Sequence, residues 1–247
     1  MDEQLIALYH RHVAAACDRQ MRLGDFIERE APGENWHYQV STATLSFGAK
    51  VKFEAHDLGS HAFTDNSWLW VWCNPHLHLT ATNHELATAV QQLGQQLGIP
   101  AFTATRYFDV EPILGEQLSE VASHVFGIVV GGELGYHAHY TMPFEHGRFT
   151  ALLRDERLRC DEPHPLLRIS SIFPQALCDY PIMDHRAAFL AYLNWYGYTP
   201  EVAGQSVCVV ENGEEVMRAE FDELNRMTNL TGRFRGTSND QQPDADA

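Results

Sequence analysis

Residues 68–74 read Trp68-Leu69-Trp70-Val71-Trp72-Cys73-Asn74, with tryptophans at i, i+2 and i+4. A period of two predicts an extended strand with all three indoles on one face and Leu69, Val71 and Cys73 on the other. Both faces are apolar, so the segment reads as a central strand covered on both sides. Indole faces stack sugars, bases and cations, which makes Trp68, Trp70, Trp72 and the adjacent Asn74 a candidate binding platform. Exposed together, however, the rings would form the kind of apolar patch that monomers avoid. Burial of each ring gains about 4–6 kcal/mol, so a core role is the favoured reading.

Strand signals precede this segment at residues 36–40, 44–47 and 51–57, separated by short polar or Gly-containing turns. They predict an antiparallel meander with the tryptophan strand as its last member. Upstream, residues 3–30 carry apolar positions with helical drift and read as one amphipathic helix, with Gly24 a point of interruption and Ala31-Pro32-Gly33 its end. Downstream, Thr82 or Asn83 can cap a helix over residues 84–97 that Gly98 stops. Residues 101–110 read as extended and 112–125 as a helix. A second strand-rich block follows at 125–130, 134–142 and 149–154, then an apolar run at 166–173 and a helix over 184–196 capped by Asp184. A hairpin turning at Asn212-Gly213 comes last. The fold class is α+β, antiparallel sheet packed by helices. Its layout is a single domain over 1–231 (helix 3–30, first block 36–125, second block 126–222), and a loose duplication is one way to describe it. The acidic tail, 232–247, is expected to be disordered.

The stretches Trp36-His37-Tyr38, Leu45-Ser46-Phe47, Asp57-Leu58-Gly59-Ser60 and Ser67 to Asn74 resemble a bacterial family known as domain of unknown function 6882. Its members share an early W-x-Y strand, an L-G-S turn and a T-W-L-W-A-W-A-N-like strand. Ser67 stands here at the Thr position and Cys73 at a small-residue position. The match is densest over residues 36–75 and looser to 198. The resemblance implies a soluble bacterial protein and supplies no catalytic residue.

The chain has 247 residues, is 45% hydrophobic and 20% charged, and carries a formal net charge of −16. That field opposes nucleic acid and anionic membrane surfaces and suits a basic protein partner. Five cysteines without C-x-x-C spacing, and an acidic N-terminus unlike a secretory signal, point to a cytoplasmic protein with free thiols. Metal and catalytic motifs are sparse. His76 and His78, and His137 and His139, form two H-x-H pairs. The second pair, with Glu145 or His146, offers ligands for a divalent transition metal, although the Glu comes one position late for a cupin motif. The bland alternative is solvent-facing strand histidines. His84-Glu85-Leu86-Ala87-Thr88 lacks the second histidine of a zinc protease. Nucleophile elbows, P-loops and G-x-G-x-x-G segments are missing from the sequence. The expected function is therefore non-catalytic binding or interaction, with an immunity-like or accessory role as one form. A His-x-His metal enzyme and a small-ligand carrier are the alternatives, and no cofactor other than that metal is implied.

Overall fold

The amphipathic period of the first thirty residues becomes one unbroken helix, α1 (Glu3–Glu30), in the computed structural model, which describes residues 1–77 and 79–233. Asp2 caps it, its Oδ1 accepting from the backbone N–H groups of Gln4 and Leu5. The helix runs through Gly24 without a break. Its buried stripe of Leu5, Leu8, Tyr9, Val13 and Cys17 joins the main core, and Leu23 and Phe26 join a second, smaller cluster.

Next come β1 (Trp36–Gln39), β2 (Thr44–Phe47), β3 (Val51–Ala62) and β4 (Ser67–Trp70), then α2 (Ala81–Leu97), β5 (Phe108–Asp109), α3 (Glu111–Leu114), α4 (Glu116–Ser119) and α5 (Ala122–Glu133). After them run β6 (Ala138–Phe144), β7 (Gly147–Leu153), α6 (Pro165–Asp179), α7 (His185–Trp195), β8 (Glu201–Ala203), β9 (Ser206–Glu211), β10 (Glu214–Phe221) and β11 (Met227–Gly232). The class is α+β with two antiparallel sheets. The first has seven strands in the order β1-β2-β3-β4-β5, with β7 also on β3 and β6 on β7; the second has four, ordered β11-β10-β9-β8. The twelve-residue β3 is the spine: its first part pairs with β2, its later part with β4 and β7. The hairpin turn is as read, with Asn212 at φ 54° and Gly213 at φ 80°.

Several boundaries differ from the sequence reading. The tryptophan strand stops at Trp70, and Val71–Cys73 forms a 3₁₀ turn. Trp68 and Trp70 are wholly buried, edge to face with each other and packed on Phe126 of α5. Trp72 is half-buried and lies flat on Trp70 at 4.7 Å. The turn follows from the indole donors: Trp70 Nε1–H donates to the Ala101 carbonyl and Trp72 Nε1–H to that of Ala104, both on the segment after α2. β4 is not the last strand of its meander, because the two-residue β5 pairs beyond it. The cap of α2 is Thr80, accepting from the Asn83 N–H. Residues 101–110 open in a 3₁₀ turn, Pro100–Thr103, continue as irregular chain, and only β5 is a strand.

The helix read over 112–125 is interrupted at Gly115, φ 73°, giving α3 and α4. Residues 125–130, read as extended, are helical within α5. A short run that is apolar all round fits a buried strand or a buried helix equally well. Here Val125–Val130 is buried on every side, so burial overrides the β preference of Ile128, Val129 and Val130. β6 and β7 extend the first sheet, and β8 and β11 arise where no strand was read. His78 and residues 234–247, most of the expected tail, lie outside the described residues; Gly232 ends β11.

Candidate functional site

Asp18 sits on the buried stripe of α1, where an amphipathic helix ordinarily carries an apolar residue, and is 0% exposed. Four donors converge on its carboxylate. Arg168 Nε donates to Oδ1 at 2.6 Å and Arg22 Nε, one turn along α1, at 3.1 Å. The Tyr192 and Tyr196 hydroxyls donate to Oδ2 at 2.8 and 2.5 Å. Arg22 also donates to Glu162 at 3.3 Å and to the Tyr196 oxygen at 3.2 Å. A buried carboxylate without such partners would be strongly disfavoured, so this knot fixes α1, α6 and α7 against one another.

Directly beside the knot opens a cleft of about 500 Å³. Arg19 lines it from α1, Tyr136 and His137 from the approach to β6, Cys160 and Glu162 from the segment before α6, and Trp195 from the end of α7. Local rules place each group. Gly135, at φ 69°, turns the chain between α5 and β6. His137 Nδ1 lies 2.8 Å from the Asp155 carbonyl oxygen and 3.0 Å from its nitrogen, which ties the ring to the segment after β7. Asp155 caps the 3₁₀ turn Glu156–Leu158, and His164 precedes Pro165 at the first turn of α6. Arg19 lies over the Trp195 ring at 5.3 Å from its centre.

The titratable groups of the cleft are held rather than poised. Burial pushes the Cys160 thiol up, against the opposing pull of Arg22, and its Sγ–H points to the Tyr196 oxygen at 3.9 Å. Burial, then the hydrogen bond to Asp18, pushes the Tyr196 phenol far up. Glu162 is paired with Arg22 and lies 3.7 Å from Arg168. Burial pulls Arg19 down, opposed by Asp18.

The residues singled out from sequence fall elsewhere. The Trp68 and Trp70 faces are covered, and Asn74 Oδ1 caps a turn by accepting from the His76 N–H. His137 lines the cleft, whereas His139, 3% exposed, faces inward with Nε2 3.3 Å from His124 Nδ1. The solvent-facing reading therefore fails for His139. Glu145 and His146 sit in the β6–β7 turn, 3.5 Å apart and exposed. The four are not brought together. Among the described residues no group of three or more His, Cys, Asp or Glu could hold a metal ion, and no helix is long and apolar enough to cross a membrane.

Sequence reading missed Asp18, Arg19, Arg22, Cys160, Glu162, Arg168, Tyr192, Trp195 and Tyr196. One signal was present: a charged pair, Asp18 and Arg22, at i, i+4 on an otherwise apolar stripe. Leu58-Gly59-Ser60, read as a turn, lies inside strand β3 instead, and the motif residues around it prove to be structural. Gly59 pairs opposite Trp70, and a Cβ there would stand 2.6 Å from the Leu69 carbonyl oxygen and 2.7 Å from the Trp68 ring. Asp57, 3% exposed, accepts from Tyr38 and from Asn83 Nδ2, while its N–H donates to Asn83 Oδ1, tying β3 to α2.

Residues 6–156 match a family described as a family of unknown function (DUF6882). No curated protein and no solved structure matches the chain. The matched segment ends inside the cleft: Arg19, Tyr136 and His137 lie within it, Cys160, Glu162 and Trp195 beyond it.

Proposed function

The chain belongs to the DUF6882 family of unknown function, and from its geometry we propose that it is a non-catalytic protein that binds a small molecule in the cleft between α1, α7 and the segment before α6. One observation carries this reading. A cleft of about 500 Å³, the size of a metabolite site, is walled by aromatic and charged groups fixed by the buried Asp18 knot. Binding rather than turnover is supported by the state of those groups. The thiol is held protonated, the phenol donates to Asp18, and Glu162 is neutralised by arginine. A basic protein partner rests on the net charge of −16 alone, and the cleft is the more specific feature.

The test is native mass spectrometry of the full chain after incubation with fractionated small-molecule extract. A saturable adduct is expected, weakened in Cys160→Phe, whose ring intrudes on the cleft. An adduct undiminished in that variant, or none from any fraction, would refute a cleft-binding role.

A further inference from the structure

Resting on that reading, the arginines around the cleft differ in one respect. Arg22 and Arg168 are bound to Asp18, and Arg159 at the rim is paired with Glu156 at 3.3 Å. Arg19 has no hydrogen bond or ion pair to its guanidinium among the described residues; it lies over the Trp195 ring, with Asp18 and Cys160 near enough to act on its charge. The neighbouring Asp18 does not serve it, because that carboxylate faces inward and is filled by four donors. A half-buried arginine thus lines the cleft with no acceptor for its guanidinium among the described residues.

The ring it lies over is held in place. Trp195 is stacked with Tyr192 at 6.0 Å and met edge-on by Tyr196 at 4.7 Å, and both tyrosines are pinned by Asp18. A rigid planar fork matches the two oxygens of a carboxylate. Nearby, the tie between His137 Nδ1 and Asp155 leaves Nε2 without a hydrogen-bond partner among the described residues. The remaining charge disfavours a second negative group: Asp161 stands exposed on the lining and would repel it, while Glu162 is already paired with Arg22.

We propose that the ligand of this cleft is a small organic monocarboxylate, its carboxylate clamped by the Arg19 guanidinium held over the Trp195 ring. Neutral amide analogues offer Arg19 a single uncharged acceptor in place of two charged oxygens, and polyanions meet Asp161.

The test uses the full chain with benzoate, benzamide and inorganic phosphate as probes, read by equilibrium dialysis. Benzoate is expected to bind saturably at millimolar concentration and benzamide at least about ten-fold more weakly. Arg19→Gln is expected to weaken benzoate about ten-fold or more, Arg19→Lys by less, and Arg159→Gln by no more than about three-fold. Benzamide binding as well as benzoate would overturn the carboxylate assignment and leave the cleft reading standing. Phosphate binding more tightly than benzoate would overturn the monocarboxylate class, and so would no saturable benzoate binding. A neutral molecule captured from extract would sustain the cleft and sink this proposal. Arg19 makes no hydrogen bond among the described residues, so Arg19→Gln is expected to fold; should it not, the wild-type benzoate-to-benzamide ratio and Arg19→Lys decide.

Discussion

Asp18 has no solvent contact, and its two oxygens hold two guanidinium groups and two phenols. Asp18→Asn keeps the shape but removes the charge, leaving Arg22 and Arg168 facing a neutral amide. The expected loss is about 3 kcal/mol of unfolding free energy, visible as a lower urea midpoint. Gly59 is constrained differently. Its φ is ordinary, but a methyl group would meet the Leu69 carbonyl oxygen at 2.6 Å and the Trp68 ring at 2.7 Å. Neither the sheet backbone nor a buried indole can yield easily, so Gly59→Ala is expected to destabilise by about 2–3 kcal/mol in the same measurement. The L-G-S motif is therefore legible as a family mark, while its cause, an indole over a strand glycine, appears only once β3 and β4 are paired.

Helix α5 shows both the reach of pattern reading and its boundary. Its apolar run is plain in the sequence, but periodicity cannot separate a strand from a helix that is buried all round. What sets it is the sheet beneath: α5 packs on β6 and β7, and Gly127 allows the His139 ring to approach within contact of the helix backbone. The amphipathic α1, the glycine stop after α2 and the Asn-Gly hairpin were readable because each depends on local chemistry. Across the α5–sheet contact, Arg148 can only donate, so His124 Nε2 accepts at 3.1 Å and His124 Nδ1–H faces His139 Nε2. Both histidines are thereby neutral. Burial, then Arg148, pulls His124 from 6.5 to about 4, and burial, then His124 and Arg19, holds His139 well below its ordinary value. Between pH 6.5 and 4 the unfolded chain binds protons that the folded chain does not. Stability is therefore fully present above pH 6.5 and is lost as pH falls toward 4. At pH 5 the His124 contribution alone is of order 1–2 kcal/mol. Urea midpoints at pH 7.5 and 5.0 should differ accordingly, and His124→Gln, which can still accept from Arg148, should reduce the difference.

The whole molecule is held by α1, which packs against α5, α6 and α7 and contributes to both apolar clusters. The family match stops at residue 156, yet three of the four groups bound to Asp18 (Arg168, Tyr192 and Tyr196) lie beyond it. A fragment ending at Glu156 is therefore expected to lose its cooperative melting transition in scanning calorimetry; a sharp transition near that of the full chain would show the C-terminal part to be dispensable. The cleft was not legible in the sequence for the same reason. Arg19, His137, Cys160 and Trp195 are far apart along the chain, and no local spacing announces them.

Five indole N–H resonances give a single reading of where this molecule packs and where it binds. In a ¹⁵N-labelled full chain titrated with benzoate, the Trp195 signal should move saturably. The Trp70 and Trp72 signals, bonded to the Ala101 and Ala104 carbonyls, should stay in place together with that of buried Trp68. Movement of the Trp68, Trp70 and Trp72 signals with Trp195 unchanged would put the binding face on the tryptophan strand and contradict the assignment of the cleft.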